Sequence, residues 1–306
     1  MIVVKSAKLG VLSSYIGRPL AFMFALDVAI AAAYVFAGWK WLALPDVPLS
    51  IFGGVIGVIA GFRNSSAYAR WWEARTIWGA LVNNSRSFAR QVVTMIAAPM
   101  AGHASQPEPE ETKRKLILFQ IAYVHALRNH LRGLSPWPEL RGLIPQQEIE
   151  CLKTKDNVPL AIQQSIASMI GHCYQQGWID EMRWVSLDRT LTALMDCQGA
   201  SERIKNTPMP RLYDLFIRRF INVYCLLLPL GMVASLGLLT PFGSTFVGFI
   251  FLALDKIGRD LEGPFENLPH DISLTAISRT VEINLKQMIG EKKIPEPLAP
   301  VNGILW

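Results

Sequence analysis

The sequence predicts an all-α membrane protein, with four transmembrane helices and a helical region outside the membrane. Three observations predict it. The 306 residues are 51% hydrophobic and 18% charged, too apolar for an ordinary soluble domain and too charged for a wholly embedded one. Uncharged runs suited to crossing a hydrocarbon core of about 30 Å lie on either side of a polar middle. That middle spaces its apolar residues as helices do and carries its charges on other faces.

The first run, residues 19–39, is interrupted only by Asp27 and predicts one crossing with Pro19 at its start. Trp39, Lys40 and Trp41 follow as an interfacial belt with a snorkelling lysine. The second run, residues 47–62, is short, but a helix can continue past Arg63. Its Gly53, Gly54, Gly57 and Gly61 would each weaken a helix in water by up to about 1 kcal/mol. In a membrane bundle they permit close helix contact. Gly53, Gly57 and Gly61 recur every four residues on one stripe, and Gly54, Val58 and Phe62 recur in the same way on the next.

From Asn64 to about Met95 the pattern predicts a long helix leaving the membrane, with Trp71, Trp72 and Trp78 at mixed helical spacings, read as core and, with the assembly that the resemblance below implies, subunit interface. Residues 98–111 predict a loop and 113–131 an amphipathic helix, ended by Ser135-Pro136-Trp137-Pro138. Further helices are predicted over 145–152, 158–176 and 179–195, before a second break at Asn206-Thr207-Pro208-Met209-Pro210. Residues 220–254 carry no charge. As a helix that run would be about 50 Å long, too long for one crossing. Thr240-Pro241-Phe242-Gly243 supplies a turn, so two crossings are predicted near 216–239 and 242–258, the first kinked at Pro229. Beyond Lys256 the chain is amphipathic up to Gly290, with Val281, Leu285 and Met288 on one face, and residues 294–306 form an extended tail.

Charge sets the expected topology. Lys5, Lys8 and Arg18 flank the first crossing, Arg63 and Arg70 follow the second, Arg218 and Arg219 precede the third, and Lys256 and Arg259 follow the fourth. The two outer loops hold only Lys40 and Asp46. The positive-inside rule then puts both termini and residues 63–218 in the cytoplasm of a multi-pass inner (plasma) membrane protein. The first ten residues do not read as a signal peptide. The expected organisation is 1–62 for the N-terminal segment and first two crossings, 63–211 for the cytoplasmic helical region, 212–258 for the last two crossings, and 259–306 for a cytoplasmic helix and tail.

Other function classes are excluded on the residues. A formal charge of +6 with scattered arginines and no nucleic-acid motif speaks against nucleic acid as a partner. Cys151, Cys173, Cys197 and Cys225 have no CxxC spacing, so they read as free thiols in a reducing compartment, and no metal site is expected. No GxSxG, HExxH or P-loop pattern occurs, so neither an enzyme nor a cofactor is expected.

The segment GFRNSSAYARWWEAR, residues 61–75, resembles the bestrophin family. Phe62-Arg63-Asn64, Tyr68-Ala69-Arg70 and Glu73-Ala74-Arg75 match the bacterial pattern, and Arg70-Trp71-Trp72 matches the animal one. Pro48-Leu49-Ser50, Thr207-Pro208-Met209-Pro210 and LEGPFENLPHDISL, residues 261–274, add to it. The resemblance implies a homopentamer around one axial pore, a passive channel for small monovalent ions, chloride or sodium. It implies that the second helix lines a hydrophobic neck, whose positions fall on Gly54, Val58 and Phe62. A bulky aliphatic is usual where this chain has Gly54, so Ile51 or Val55 is a secondary candidate. A cytoplasmic constriction falls on Met182. Animal members clasp calcium with an acidic run that is missing here. Glu262, Glu266 and Asp271 remain as a residual cation site or as surface charges, fewer than the six to eight oxygens calcium takes. The alternative reading is a secondary transporter or a non-conducting membrane scaffold. Asp27 reads as a structural partner for a cation or hydroxyl in the bundle, and His125, His130 and His172 as ordinary partnered histidines.

Overall fold

A computed structural model of the chain describes residues 1, 9–44, 49–97 and 108–306. Among these residues the elements are two short 3-10 helices, Lys40–Leu42 and Gly237–Leu239, and ten α-helices: α1 (Leu9–Val35), α2 (Leu49–Met95), α3 (Glu108–Arg132), α4 (Trp137–Leu140), α5 (Gln146–Leu152), α6 (Val158–Gln175), α7 (Glu181–Asn206), α8 (Arg211–Leu236), α9 (Thr240–Glu262) and α10 (Leu274–Met288). No strand occurs among the described residues. The expected all-α class is borne out.

Several boundaries differ from expectation. α1 starts ten residues before Pro19, which is therefore interior. Proline removes one backbone hydrogen bond without ending a membrane helix whose neighbours hold it. Here Tyr15 donates to Asp260 and Ile16 is buried. The predicted second and long third segments are one helix, α2, of 47 residues, about 70 Å at 1.5 Å per residue. Most of the predicted loop 98–111 lies outside the described residues, and from Glu108 onward the chain is helical. α7 runs on to Asn206 rather than ending at Met195, and α9 to Glu262 rather than 258. The tail is extended but turns at Asn302-Gly303, both with positive φ.

The chain divides into two compact units, the first comprising residues 4–71 and 208–263, the second 1–3, 72–207 and 264–306. α2 belongs to both.

In the first unit α1, the first half of α2, α8 and α9 pack together around Met23, Ile56, Ala60, Ile217, Ile221, Tyr224, Cys225 and Leu228. Glycines close the seams: a β-carbon on Gly248 would collide with the Met23 thioether, and one on Gly258 with the Asn64 side chain. Two stretches, Tyr15–Val35 and the 51 residues Leu212–Glu262, are apolar and long enough to cross a membrane. The outward faces carry Phe22, Phe36, Phe216, Phe220, Phe242 and Phe246, all exposed. Exposure of so many large apolar side chains is unusual for a protein surrounded by water. At the end of α1, the Lys40 ammonium lies 3.9 Å from the centre of the Tyr34 ring, and Trp39 stacks on Trp41.

In the second unit α3 is central. Residues 116–129 are buried on every side, which corrects the amphipathic reading of 113–131. A helix can be buried all round when its polar members find partners. Gln120 donates to Ser85 at 3.0 Å, Tyr123 to the Leu194 carbonyl at 3.0 Å, and Arg128 to Ser278 at 2.8 Å. α6 and α10 flank it. Asn157 and Asp180 cap α6 and α7 by accepting from the Leu160 and Arg183 amides. Val281 and Leu285 of α10 are buried, but Met288, expected on the same face, is exposed at the helix end.

Candidate functional site

The first half of α2 has two different faces. Gly53, Ile56, Ala60, Arg63 and Ala67 recur at intervals of three and four and are buried within their unit. Ile51, Gly54, Val55, Val58 and Phe62 occupy the opposite side and are exposed. Val58 is 59% exposed and Phe62 66%, and a β-carbon on Gly54 would meet nothing within 4 Å. At about 100° per residue, Ile51, Val58 and Phe62 lie within about 40° of one another, while Gly54 stands about 60° from Ile51. Val55 also lines an apolar groove of about 340 Å3 with Leu49, Phe52, Phe220 and Val223. The structure therefore places Ile51, Gly54, Val55, Val58 and Phe62 on one exposed face of α2, with Val55 at the edge of the groove toward α8.

Where that face ends, the chain is pinned. Arg63 is 1% exposed and donates to the Asp255 carboxylate at 2.9 Å, to the Asp255 carbonyl at 3.3 Å, and to Asp214. Arg218 pairs with Asp214 at 3.2 Å and Arg259 with Asp255 at 2.8 Å. Asn64 donates to the Leu254 carbonyl at 2.9 Å, and Arg70 to the Glu262 carbonyl at 2.9 Å. In the sequence Arg63 stands out as a topology marker and as part of the Phe62-Arg63-Asn64 family match, but nothing there points to this cluster. Its register with Ala60 and Ala67 signals burial alone.

The other expected residues fall as follows. Met182, 79% exposed, stands in the first turn of α7. Asp27 is fully buried and accepts from the Thr245 hydroxyl at 3.1 Å. Trp78 is fully buried, while Trp72 is exposed. Glu266 pairs with Lys205 at 2.8 Å. Asp271 is buried and accepts from the Leu268 amide at 3.1 Å, capping the turn after Pro269. Burial pushes its carboxyl above the ordinary range, against the backbone amides that stabilise the ion. Among the described residues, no group of three His, Cys, Asp or Glu side chains is arranged to hold a metal ion. The cysteines are free, three of them buried. His125 bridges Glu139 at 3.1 Å and Glu282 at 3.2 Å, a pairing the sequence did not suggest. Burial opposes ionisation of both glutamates, but the contacts of His125, with Arg128 on Glu139 and Lys286 on Glu282, hold both carboxyls down at about 2.

A family model described as Bacterial/Fungal Bestrophin protein matches residues 3–287. The chain belongs to the bestrophin family. This bestrophin is 31% identical over 284 residues to a voltage-dependent anion channel-forming protein of Ralstonia nicotianae, covering 92% of this chain and 89% of that one. It is 31% identical over 291 residues to the voltage-dependent anion channel-forming protein YneE of Salmonella typhi, covering 95% and 91%. Its fold matches the crystal structure of a bacterial bestrophin homologue from Klebsiella pneumoniae with a TM-score of 0.83 and 28% identity, over 91% of this chain and 100% of that one. The family resemblance carried by residues 61–75 and 261–274 is borne out, as is the membrane-protein class. Among the named relatives the activity is channel formation, not catalysis.

Proposed function

We propose that this bestrophin is the subunit of a homopentameric channel that passes small monovalent ions, anions foremost. The observation that carries the proposal is the bare apolar face of α2, Ile51 to Phe62, opposite a face fully packed within its own unit. One lining helix per subunit is enough when several subunits share an axis. Val58 and Phe62 then form the neck, with Ile51 supplying the ring that Gly54 cannot, and Met182 a second constriction on the cytoplasmic side. An apolar bore holds back ions because their hydration must be kept or replaced within it, and it offers no tight site in which an ion lingers. The names of the Ralstonia and Salmonella relatives favour anions, and the positive edges of phenylalanine rings act in the same sense. The proposal includes four crossings, with α2, α8 and α9 following α1. It puts both termini and residues 63–211 in the cytoplasm and the protein in the inner membrane.

Purified protein in planar bilayers under a potassium chloride gradient tests this. Unitary current steps with a reversal potential displaced toward that of chloride are expected. Displacement toward potassium would overturn the selectivity, and saturable exchange without steps would identify a transporter. Light scattering in detergent is expected to give five subunit masses, and a monomer would overturn the shared pore.

A further inference from the structure

We infer that Arg63 is the positioning residue of the neck: clamped between Asp214 and Asp255, it sets the rotation of the α2 turn that presents Phe62. This rests on the neck reading above. Phe62 and Arg63 are consecutive, so their side chains leave the helix about 100° apart, one 66% exposed and the other 1%. Arg63 reaches α8 through Asp214 and α9 through Asp255, taking both the side chain and the carbonyl of the latter. Asn64 adds a bond to Leu254 of α9 and fills the space that Gly258 leaves bare.

The glycines leave one side of α2 without interlocking contacts. A β-carbon on Gly54 or Gly61 would meet nothing within 4 Å, and one on Gly57 only the Phe251 ring at 4.0 Å. Beside Val58 and Phe62, α2 is therefore held against rotation from its buried side, by the packing of Ile56, Ile59 and Ala60 and by the Arg63 clamp. A rotation of about 20° would carry a side-chain tip sideways by about 2 Å, given a helix radius with side chains of about 5–6 Å. That is enough to open or close a bore a few ångströms wide. A planar guanidinium holding two carboxylates on two different helices resists that rotation in a way a single point charge does not. The cluster also sets three guanidinium groups against two carboxylates, so Asp214 and Asp255 both stay paired if Arg63 is replaced.

The experiment is a double-mutant cycle on unitary conductance with Arg63→Lys and Phe62→Ala. Lysine keeps the charge and loses the fork. In the native background Arg63→Lys is expected to change conductance severalfold. In the Phe62→Ala background the same substitution is expected to change it less than twofold, since no ring remains to be positioned. Thermal unfolding is followed in parallel in both backgrounds, so that a change in stability is told apart from a change in conductance. An unchanged conductance for Arg63→Lys, or an equal change in both backgrounds, would overturn the inference and leave the neck reading intact. If Phe62→Ala itself changes nothing, the neck reading falls and takes this inference with it. Should Arg63→Lys fail to assemble, Asp214→Asn, on the partly exposed α8 arm, replaces it in the same cycle with the same outcomes.

Discussion

Gly53 and Tyr224 touch where α2 meets α8: a β-carbon on Gly53 would lie 3.0 Å from Cζ of Tyr224 and closer still to its hydroxyl. The ring is buried and packs edge-on against Phe251 with centroids 4.9 Å apart, which opposes its swinging aside. Gly54, the next residue, faces open space. Gly53→Ala is therefore expected to lower stability by about 1–3 kcal/mol through overpacking, while Gly54→Ala leaves it unchanged or raised. Thermal unfolding in detergent compares the two. Equal melting temperatures would refute the contact.

Truncating the neck should ease ion passage. Val58→Ala and Phe62→Ala are expected to raise unitary conductance or open probability without unfolding, since both side chains are largely exposed in their own unit. Ile59 packs against the Ile56 and Tyr224 core, so Ile59→Ala is expected to cost about 2 kcal/mol of stability and to leave conductance alone. A change in conduction from Ile59→Ala as large as that from Phe62→Ala would mean that another face lines the pore.

Calcium should not be needed. Glu266 is engaged by Lys205 and Asp271 by the Leu268 amide, and two carboxylates fall short of the six to eight oxygens calcium takes. Currents are expected to persist in chelator. Loss on chelation with recovery at micromolar calcium would show that residues 262–271 bind the ion.

The pairing of His125 with Glu139 and Glu282 predicts an acid-labile second unit. Both carboxyls are held at about 2 in the folded chain, below the ordinary value of about 4.3. The unfolded chain takes up these protons first as pH falls, so the stabilisation is whole above about pH 4.3 and lost on the way down toward 2. Acid unfolding of the native protein and of Glu282→Gln tests this, with a shallower pH dependence expected for the variant in that window. Parallel curves would mean the pairing contributes nothing to acid stability.

Much of this was legible in the residues. Apolar runs, charge breaks and proline-rich joints predicted the outer ends of α2 and the bounds of α3, α5, α6, α8 and α9 to within about five positions, because helical period and hydrophobic length are local properties. The errors were local too. Pro19 was placed at a helix start because proline is common there, yet neighbouring helices hold the preceding turn. Residues 113–131 were read as amphipathic because Gln120, His125 and Arg128 look like a solvent face until their partners are known.

The sequence by itself determined that the protein is helical, where its apolar segments lie, and, through residues 61–75 and 261–274, its family. Those features are written in short windows of the chain. Only the tertiary structure decided which face of α2 stays bare. It also decided which charges meet: Arg63 with Asp214 and Asp255, 151 and 192 residues away, and His125 with Glu282, 157 residues away. A buried charge takes its partner from whichever helix packs against it, and no local pattern records that choice.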